Sequence, residues 1–445
     1  MSLFAAARSL LGHAWPVLVA QLASVGMMVI DTAVLGHVSA ADLAAVAIGG
    51  GIHVSIVFAL VGILQAVAPV VAQLHGAGRD GEVAGVLQQG FWLACLLALP
   101  GMACLLAPGA LLTPFDVDPA VDRKVREYLA LLAWGLLPAL CYRTFYAFCN
   151  ALGRPRVLMA IGVVALLLHG GLAWGFAARG WAGEPLGVAG CALSNVIIAW
   201  LAFAAGSAYL ALGPLRRLRP FAGWRLPHWP TWRELLRIGL PMGFSNFVEI
   251  SAFTLVALFI AALGPDVVAG HRIVANLSAL SYMLPLSLGI AVLSAVGLSI
   301  GRRDWLAVRR SVHAALGLAA GLSLVLGLLL WAFAETLGTL YTDDPAVAAI
   351  AISLIVYIAI YQFVDALQTV AGHVLRACRV TFVPMLVQTV CFWGIGLGLG
   401  SWLCYRGPML GVAGFWLAAV LSLVAAAGLL LPLMFKALRS LEQAP

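Results

Sequence analysis

The stretch GLPMGFSNFVEISAFTLVALFIAAL, from Gly239 to Leu263, is long and apolar enough to cross a bilayer as a helix, yet it carries Glu249 near its middle. An acidic side chain at the centre of a membrane helix costs about 2.5–3.5 kcal/mol on insertion scales, so it needs a partner or a task. Asn246, three positions earlier, and Phe253, four positions later, share its helical face. The spacing therefore directs a carboxyl, an amide and an aromatic ring into one space.

Working outward, the whole chain repeats this apolar character. Of its 445 residues 63% are hydrophobic and only 10% are charged, which excludes an ordinary soluble domain. Apolar runs of about 20 residues predict an all-α polytopic membrane protein, where a β-barrel would show short alternating segments. Twelve transmembrane helices are expected, near residues 14–37, 43–74, 88–108, 127–150, 156–177, 186–212, 237–263, 268–299, 309–335, 346–374, 381–404 and 410–436. The formal charge of +7 does not signal nucleic acid, because the basic residues, nearly all Arg, sit between the apolar runs. With the N-terminus inside, the cytoplasmic segments hold roughly eighteen Lys and Arg and the outer loops roughly six, which places both termini in the cytoplasm. The 8 Cys show no CxxC pair and read as packing residues. The first apolar run carries Asp31 and lacks a small-residue cleavage site, so it is expected to remain in the mature protein.

The densest basic stretch, LRRLRPFAGWRLPHWPTWRELLR from Leu215 to Arg237, divides the chain. Its amphipathic end could lie on the membrane surface, with Trp224, Trp229 and Trp232 at headgroup level. On either side the sequence repeats itself at a nearly constant interval of about half the chain. LGVAG occurs at Leu186 and Leu410, DPAV at Asp118 and Asp344, a G-R-D or G-R-R-D ending at Asp80 and Asp304, and a proline at Pro16 and Pro241. We read residues 1–212 and 237–445 as two six-helix bundles joined by a linker, 213–236. Because six is even, both would enter the membrane in the same direction, related by a pseudo-two-fold axis along its normal.

Of the 18 acidic residues, only Asp31, Glu249 and Asp365 lie well inside spans. Each sits on a stripe at helical spacing: Gln21, Ser24 and Asp31; Asn246, Glu249 and Phe253; Tyr361, Asp365 and Gln368. Three unpaired carboxyls would cost on the order of 8–10 kcal/mol, comparable to the stability of a domain. Arg143 is the only basic residue expected at depth, so the acids must be neutralised by protons or by a cation from solvent. His169, with an unperturbed pKa near 6.5, is either a proton carrier or a neutral side chain bonded between helices. His53, His271 and His373 read as the latter. Trp134, Trp174 and Trp393 could stack on a flat cation but more often serve as packing or interface residues.

At this point the residues carry a resemblance. GLPMGFSNFVE, ALGPDVVAGHRIVANLSAL and YMLPLSLGIAV resemble the seventh and eighth helices of the multidrug and toxic compound extrusion (MATE) family, NorM branch. MMVIDTAVLGH resembles its first helix and YQFVDALQTVAGHVLRA its tenth, so the similarity spans nearly the whole chain. The resemblance implies a V-shaped carrier, not an enzyme, that exchanges inward Na⁺ or H⁺ for an outgoing organic and often cationic compound. Carried over by residue, it implies cation binding and coupling at Glu249, Asp365, Tyr361, Phe253 and Asp31, with Glu249 and Asp365 holding the metal if Na⁺ is the ion. It implies drug contact at Asp31, Glu249, Asn246, Tyr282 and Asp365. Other branches carry an Asn on the fifth helix followed four residues later by an Asp; here those positions are His169 and Ala173, so Asp31 is expected to act with fewer partners. No cofactor and no nucleic acid is implied beyond the coupling ion, the small-molecule substrate and the lipid bilayer. The expected setting is a bacterial inner membrane, the unit a monomer, and the physiological consequence antibiotic resistance.

Three other readings are weaker. A flippase for a lipid-linked precursor would need a chamber basic enough for a pyrophosphate, whereas the membrane residues here are acidic. An intramembrane aspartyl hydrolase needs two acids in a recognisable setting, and VIDTA and FVDAL lack the GxGD pattern. A passive channel could not concentrate a substrate.

Overall fold

The computed structural model describes residues 2–112, 118–181 and 183–443, and no strand occurs among them. Among the described residues twelve helices are long and apolar enough to span a membrane: α1 (Leu3–Gly36), α2 (Ala40–Gly76), α3 (Asp80–Leu106), α4 (Pro119–Ala151), α5 (Pro155–Ala177), α6 (Val188–Leu212), α7 (Trp229–Leu263), α8 (Pro265–Gly301), α9 (Trp305–Ala332), α10 (Pro345–Ala377), α11 (Phe382–Tyr405) and α12 (Val412–Gln443). Each expected span falls on one of them. Helices α1, α3, α4 and α7 begin well before the apolar run does, because hydrophilic openings such as PAVDRKVRE and WPTWRELLR are helical without being hydrophobic. A turn at Gln65 and Ala66 interrupts α2, and a π-helical stretch, Val390–Leu399, lies inside α11.

The repeated motifs are helix-starting devices. In DPAV, Asp118 and Asp344 each accept a hydrogen bond at 2.8 Å from the backbone N–H two residues on, with proline in the first helical position of α4 and α10. Asp304 caps α9 through the Ala307 N–H at 3.0 Å. In LGVAG, the first glycine opens α6 or α12 with a positive φ, 55° at Gly187 and 60° at Gly411. Its second glycine lets that helix touch the end of the preceding one: a Cβ on Gly190 would lie 2.5 Å from the Ala177 nitrogen, and one on Gly414 would lie 2.9 Å from the Cys404 nitrogen.

By packing, the chain forms two compact units, one of residues 19–243 and one of 1–18 with 244–445. The divisions fall inside α1 and α7, whereas the sequence placed them around a linker at 213–236. In the first unit α4 is the hub, packed against α2, α3 and α6; in the second, its counterpart α10 packs against α8, α9 and α12. Asp42, only 3% exposed, ties the hub region of the first unit together. Its carboxylate accepts two 2.8 Å bonds from Lys124 Nζ on α4 and a 3.0 Å bond from the Val188 N–H at the start of α6. Residues 213–236 belong to this unit too, for reasons given below. In the second unit, Val274, Ala351, Leu354, Ile355, Ile358 and Trp416 form a core on α8, α10 and α12.

Because the Gly190 contact is with backbone, which gives little, Gly190→Ala should destabilise the folded protein by about 1–3 kcal/mol. Gly50→Ala meets nothing within 4 Å and should be neutral or slightly stabilising. Thermal unfolding of both variants in detergent checks the contrast.

Candidate functional site

The membrane carboxyls fall into two separate settings, one in each unit. In the first, Asp31 on α1 is 6% exposed and meets α5 and α6. Its Oδ1 lies 3.0 Å from Nε2 of His169, which is fully buried, and its Oδ2 accepts from Asn195 Nδ2 at 2.9 Å. The other nitrogen of His169, Nδ1, is 2.9 Å from Ser194 Oγ, and that oxygen is also 3.3 Å from the His169 carbonyl. The expectation that Asp31 acts with fewer partners is thus corrected. The fifth-helix histidine, with the adjacent pair Ser194 and Asn195 one helix on, replaces the missing network.

Ser194 makes the arrangement two-way. With His169 neutral, Nε2–H donates to Asp31 and Nδ1 accepts from the serine hydroxyl; with His169 protonated, Nδ1–H donates to Oγ and the hydroxyl turns to the carbonyl. Neither state strands a polar group. Tyr128 on α4 and Cys191 on α6 also face this carboxyl. The stripe predicted along α1 divides: Gln21 accepts from Tyr146 at 3.3 Å, and Ser24 is satisfied by the Ala20 carbonyl.

In the second unit Glu249 on α7, Tyr282 on α8, and Tyr361 and Asp365 on α10 come together, close enough to act on one another electrostatically. The Tyr282 hydroxyl approaches both Glu249 and Thr369. Asp365 is 3% exposed; its Oδ1 accepts from Gln368 Nε2 at 3.2 Å, while its Oδ2 and the Gln368 Oε1 are buried without a hydrogen-bond donor. Leaving such oxygens unpaired costs about 1–3 kcal/mol each, more when charged. Tyr361 is 7% exposed and stacks edge-on against Trp416 at 6.3 Å, which fixes one wall.

Asn246 makes no side-chain hydrogen bond among the described residues, and Phe253, one turn beyond Glu249, is 39% exposed. Arg143 lies over the Tyr146 ring at 5.6 Å, and a second basic residue that the sequence reading did not single out, Arg376 in the last turn of α10, is near enough to act on Glu249 and Tyr282. Its signal was present in the sequence. Arg376 lies three helical turns beyond Asp365 on the stripe that also holds Gln368, Thr369 and His373, and helical side chains lean back toward the N-terminus. His373 donates from Nδ1 to the Thr369 carbonyl at 2.8 Å, a bond within α10 and not between helices, and His271 packs on Trp416 at 5.6 Å with its Nδ1 buried and without a hydrogen-bond partner among the described residues. Trp393 donates to Ser251 at 3.1 Å, and Trp174 carries Arg179 over its ring at 4.3 Å, so both indoles have local partners. Trp134 stands 64% exposed on α4.

Sequence comparison then settles the family. The MatE family profile matches residues 16–174 and 241–402. The chain belongs to the MatE family. Within it, the chain is 50% identical to a probable multidrug resistance protein NorM of Aromatoleum aromaticum, over 96% of this chain and 93% of that protein. It is 34% identical to the multidrug resistance protein NorM of Aliivibrio fischeri, over 93% of this chain and 91% of that one, which places it in the NorM branch. The fold matches a MATE transporter of Vibrio cholerae, VcmN, with a TM-score of 0.90 at 19% identity, covering 99% of both chains. This MATE chain is therefore a multi-pass membrane transporter, in a family of carriers and not of enzymes.

The Asp31 network yields a specific expectation. His169→Ala leaves Asp31 short of a partner and Ser194 with only the backbone carbonyl of residue 169, and should lower stability by about 1–3 kcal/mol. In a double-mutant cycle with Asp31→Asn, the combined loss should be smaller than the sum of the single losses, as for any two members of one network. Thermal unfolding in detergent measures it, and strict additivity would show the two side chains to be uncoupled.

Proposed function

We propose that this MATE chain is a secondary active multidrug efflux antiporter. It exports organic, often cationic compounds in exchange for inward Na⁺ or H⁺ by alternating access, working as a monomer in a bacterial cytoplasmic membrane with both termini in the cytoplasm. The observation that carries the reading is the pair of carboxyls, Glu249 and Asp365, gathered on α7 and α10 with buried oxygens of Asp365 and Gln368 left unpaired. A visiting cation or proton would supply what those oxygens lack, and a cationic drug would compete for the same negative charge.

The two acidic settings differ in chemistry. Glu249, Asp365, Tyr361 and Tyr282 offer only oxygen, which suits Na⁺ as well as H⁺. Asp31 is joined to an imidazole, a group that takes up protons and, once charged, repels other cations. Alternation between a proton and a drug at Asp31 is accordingly part of the proposal. Energetically, one inward charge gains about 2.3 kcal/mol per 100 mV, so about 150 mV supplies about 3.5 kcal/mol, enough for a drug gradient of a few hundredfold if coupling is tight. Apolar helix faces around a few acids also fit broad substrate choice, since hydrophobic contact discriminates poorly between shapes.

Glu249→Gln and Asp365→Asn should each reduce ethidium export from cells by tenfold or more at an unchanged membrane level of the protein. Undiminished export by both would reject the assigned site. With Asp31→Asn, export should fall as well, and full activity would confine coupling to the second unit.

A further inference from the structure

The segment between α6 and α7 is not a loose tether. Two glutamines on α3, 1% and 2% exposed, hold it by its backbone. Gln88 donates to the Pro220 carbonyl at 2.9 Å and accepts from the Arg225 N–H at 3.0 Å. Gln89 does the same with the Leu226 carbonyl at 2.9 Å and the His228 N–H at 2.8 Å, and Trp92 donates to the Arg225 carbonyl at 3.1 Å. Trp224 stacks on Phe91 and on Phe221 at 6.4 and 6.3 Å. Trp224 thus packs on α3 and remains 45% exposed.

What this docking creates is a cavity of about 370 Å³ between the segment and the start of α3, within the size range of small-molecule sites. Arg217, Arg219 and Arg225 line it, together with Asp80, Gly81 and Gly85. None of the three arginines is ion-paired among the described residues. The nearby acids are engaged elsewhere: Asp80 with His75 at 2.6 Å, Glu82 with Arg79 at 2.7 Å. The missing side chain at Gly85 leaves room for Arg225, whose Nη1 would be 3.3 Å from a Cβ there. Arg219 is held in the left-handed region, φ 49°, a strain that survives only where surroundings impose it. The start of α3 has no side-chain cap and presents the positive end of its dipole, with Asp80 and Glu82 in its first turn.

Three exposed guanidinium groups lining one small space, none held by an ion pair among the described residues, offer several N–H forks to the tetrahedral oxygens of a phosphate. We propose that this cavity binds a phosphate group, carried by the headgroup of an acidic phospholipid such as phosphatidylglycerol or by free phosphate. The site lies outside both carboxyl settings and does not depend on the transport mechanism. The orientation proposed above serves only to assign the cytoplasmic leaflet, where basic pockets between helices meet anionic lipid.

The test uses the purified full chain in detergent, with thermal unfolding recorded against dihexanoylphosphatidylglycerol, dihexanoylphosphatidylcholine and inorganic phosphate at constant ionic strength. The triple variant Arg217→Gln, Arg219→Gln, Arg225→Gln is compared with a charge-matched control, Arg8→Gln, Arg302→Gln, Arg439→Gln. Phosphatidylglycerol should stabilise the wild type and the control alike, with apparent affinity lower by roughly a hundredfold in the cavity variant. Arg219→Gly removes one charge while relieving the backbone, and should weaken binding about fivefold without loss of folding. Stabilisation by inorganic phosphate to the same extent assigns the free anion, and stabilisation by phosphatidylglycerol alone assigns the lipid. No stabilisation of the wild type by either, or equal losses in the two triple variants, overturns the proposal.

Discussion

A carboxyl in hydrocarbon is tolerable only when something neutralises it, and that constraint organises this molecule. Asp31 and the pair Glu249 and Asp365 meet it by different means. Asp31 is saturated by neighbours, with His169 and Asn195 each giving one hydrogen bond to one of its oxygens. Asp365 keeps one oxygen without a donor, and Glu249 faces a tyrosine and, at longer range, Arg376. The first setting closes on itself through hydrogen bonds, whereas the second leaves a buried carboxylate oxygen without a donor among the described residues. On the function proposed above, the two settings would meet an ion and a cationic passenger with distinct chemistries.

The scaffold that holds these groups is a duplicated one. Helices α4 and α10 occupy the same place in their units and begin with the same Asp-Pro cap, while α6 and α12 begin with the same left-handed glycine. What the duplication does not repeat is the chemistry. The carboxyls of the second unit sit on α7 and α10, and that of the first on α1, where α5 and α6 supply its partners. The two units share capping and helix contacts and differ in where their buried carboxyls sit.

Much of the frame was legible in the sequence, because span length, basic loops and repeated motifs each report one physical requirement. The apolar runs located twelve helices, and the LGVAG and DPAV repeats located equivalent helix starts. Helix ends were less legible where the first turns are hydrophilic, as in α4 and α7, since periodicity of apolar residues says nothing there. The site was legible as to its acids and less so as to their partners. His169, Ser194 and Asn195 lie far from Asp31 in sequence, and no local pattern says that α5 and α6 close over α1. Arg376 could have been read from its place on the Asp365 stripe, had α10 been extended past residue 374. The role of Gln88 and Gln89 was out of reach, because two glutamines in an apolar helix carry no sign of the backbone they will hold.

The most direct measurement is drug-induced ion flux in proteoliposomes, with Na⁺ and pH gradients imposed separately on the wild-type chain and on the double variant Glu249→Gln, Asp365→Asn. Addition of ethidium should speed the collapse of at least one gradient through the wild type and have no such effect with the double variant. Flux indifferent to the drug under both gradients, or equal in the two proteins, would contradict the claim that these buried carboxyls exchange an ion for a cationic passenger.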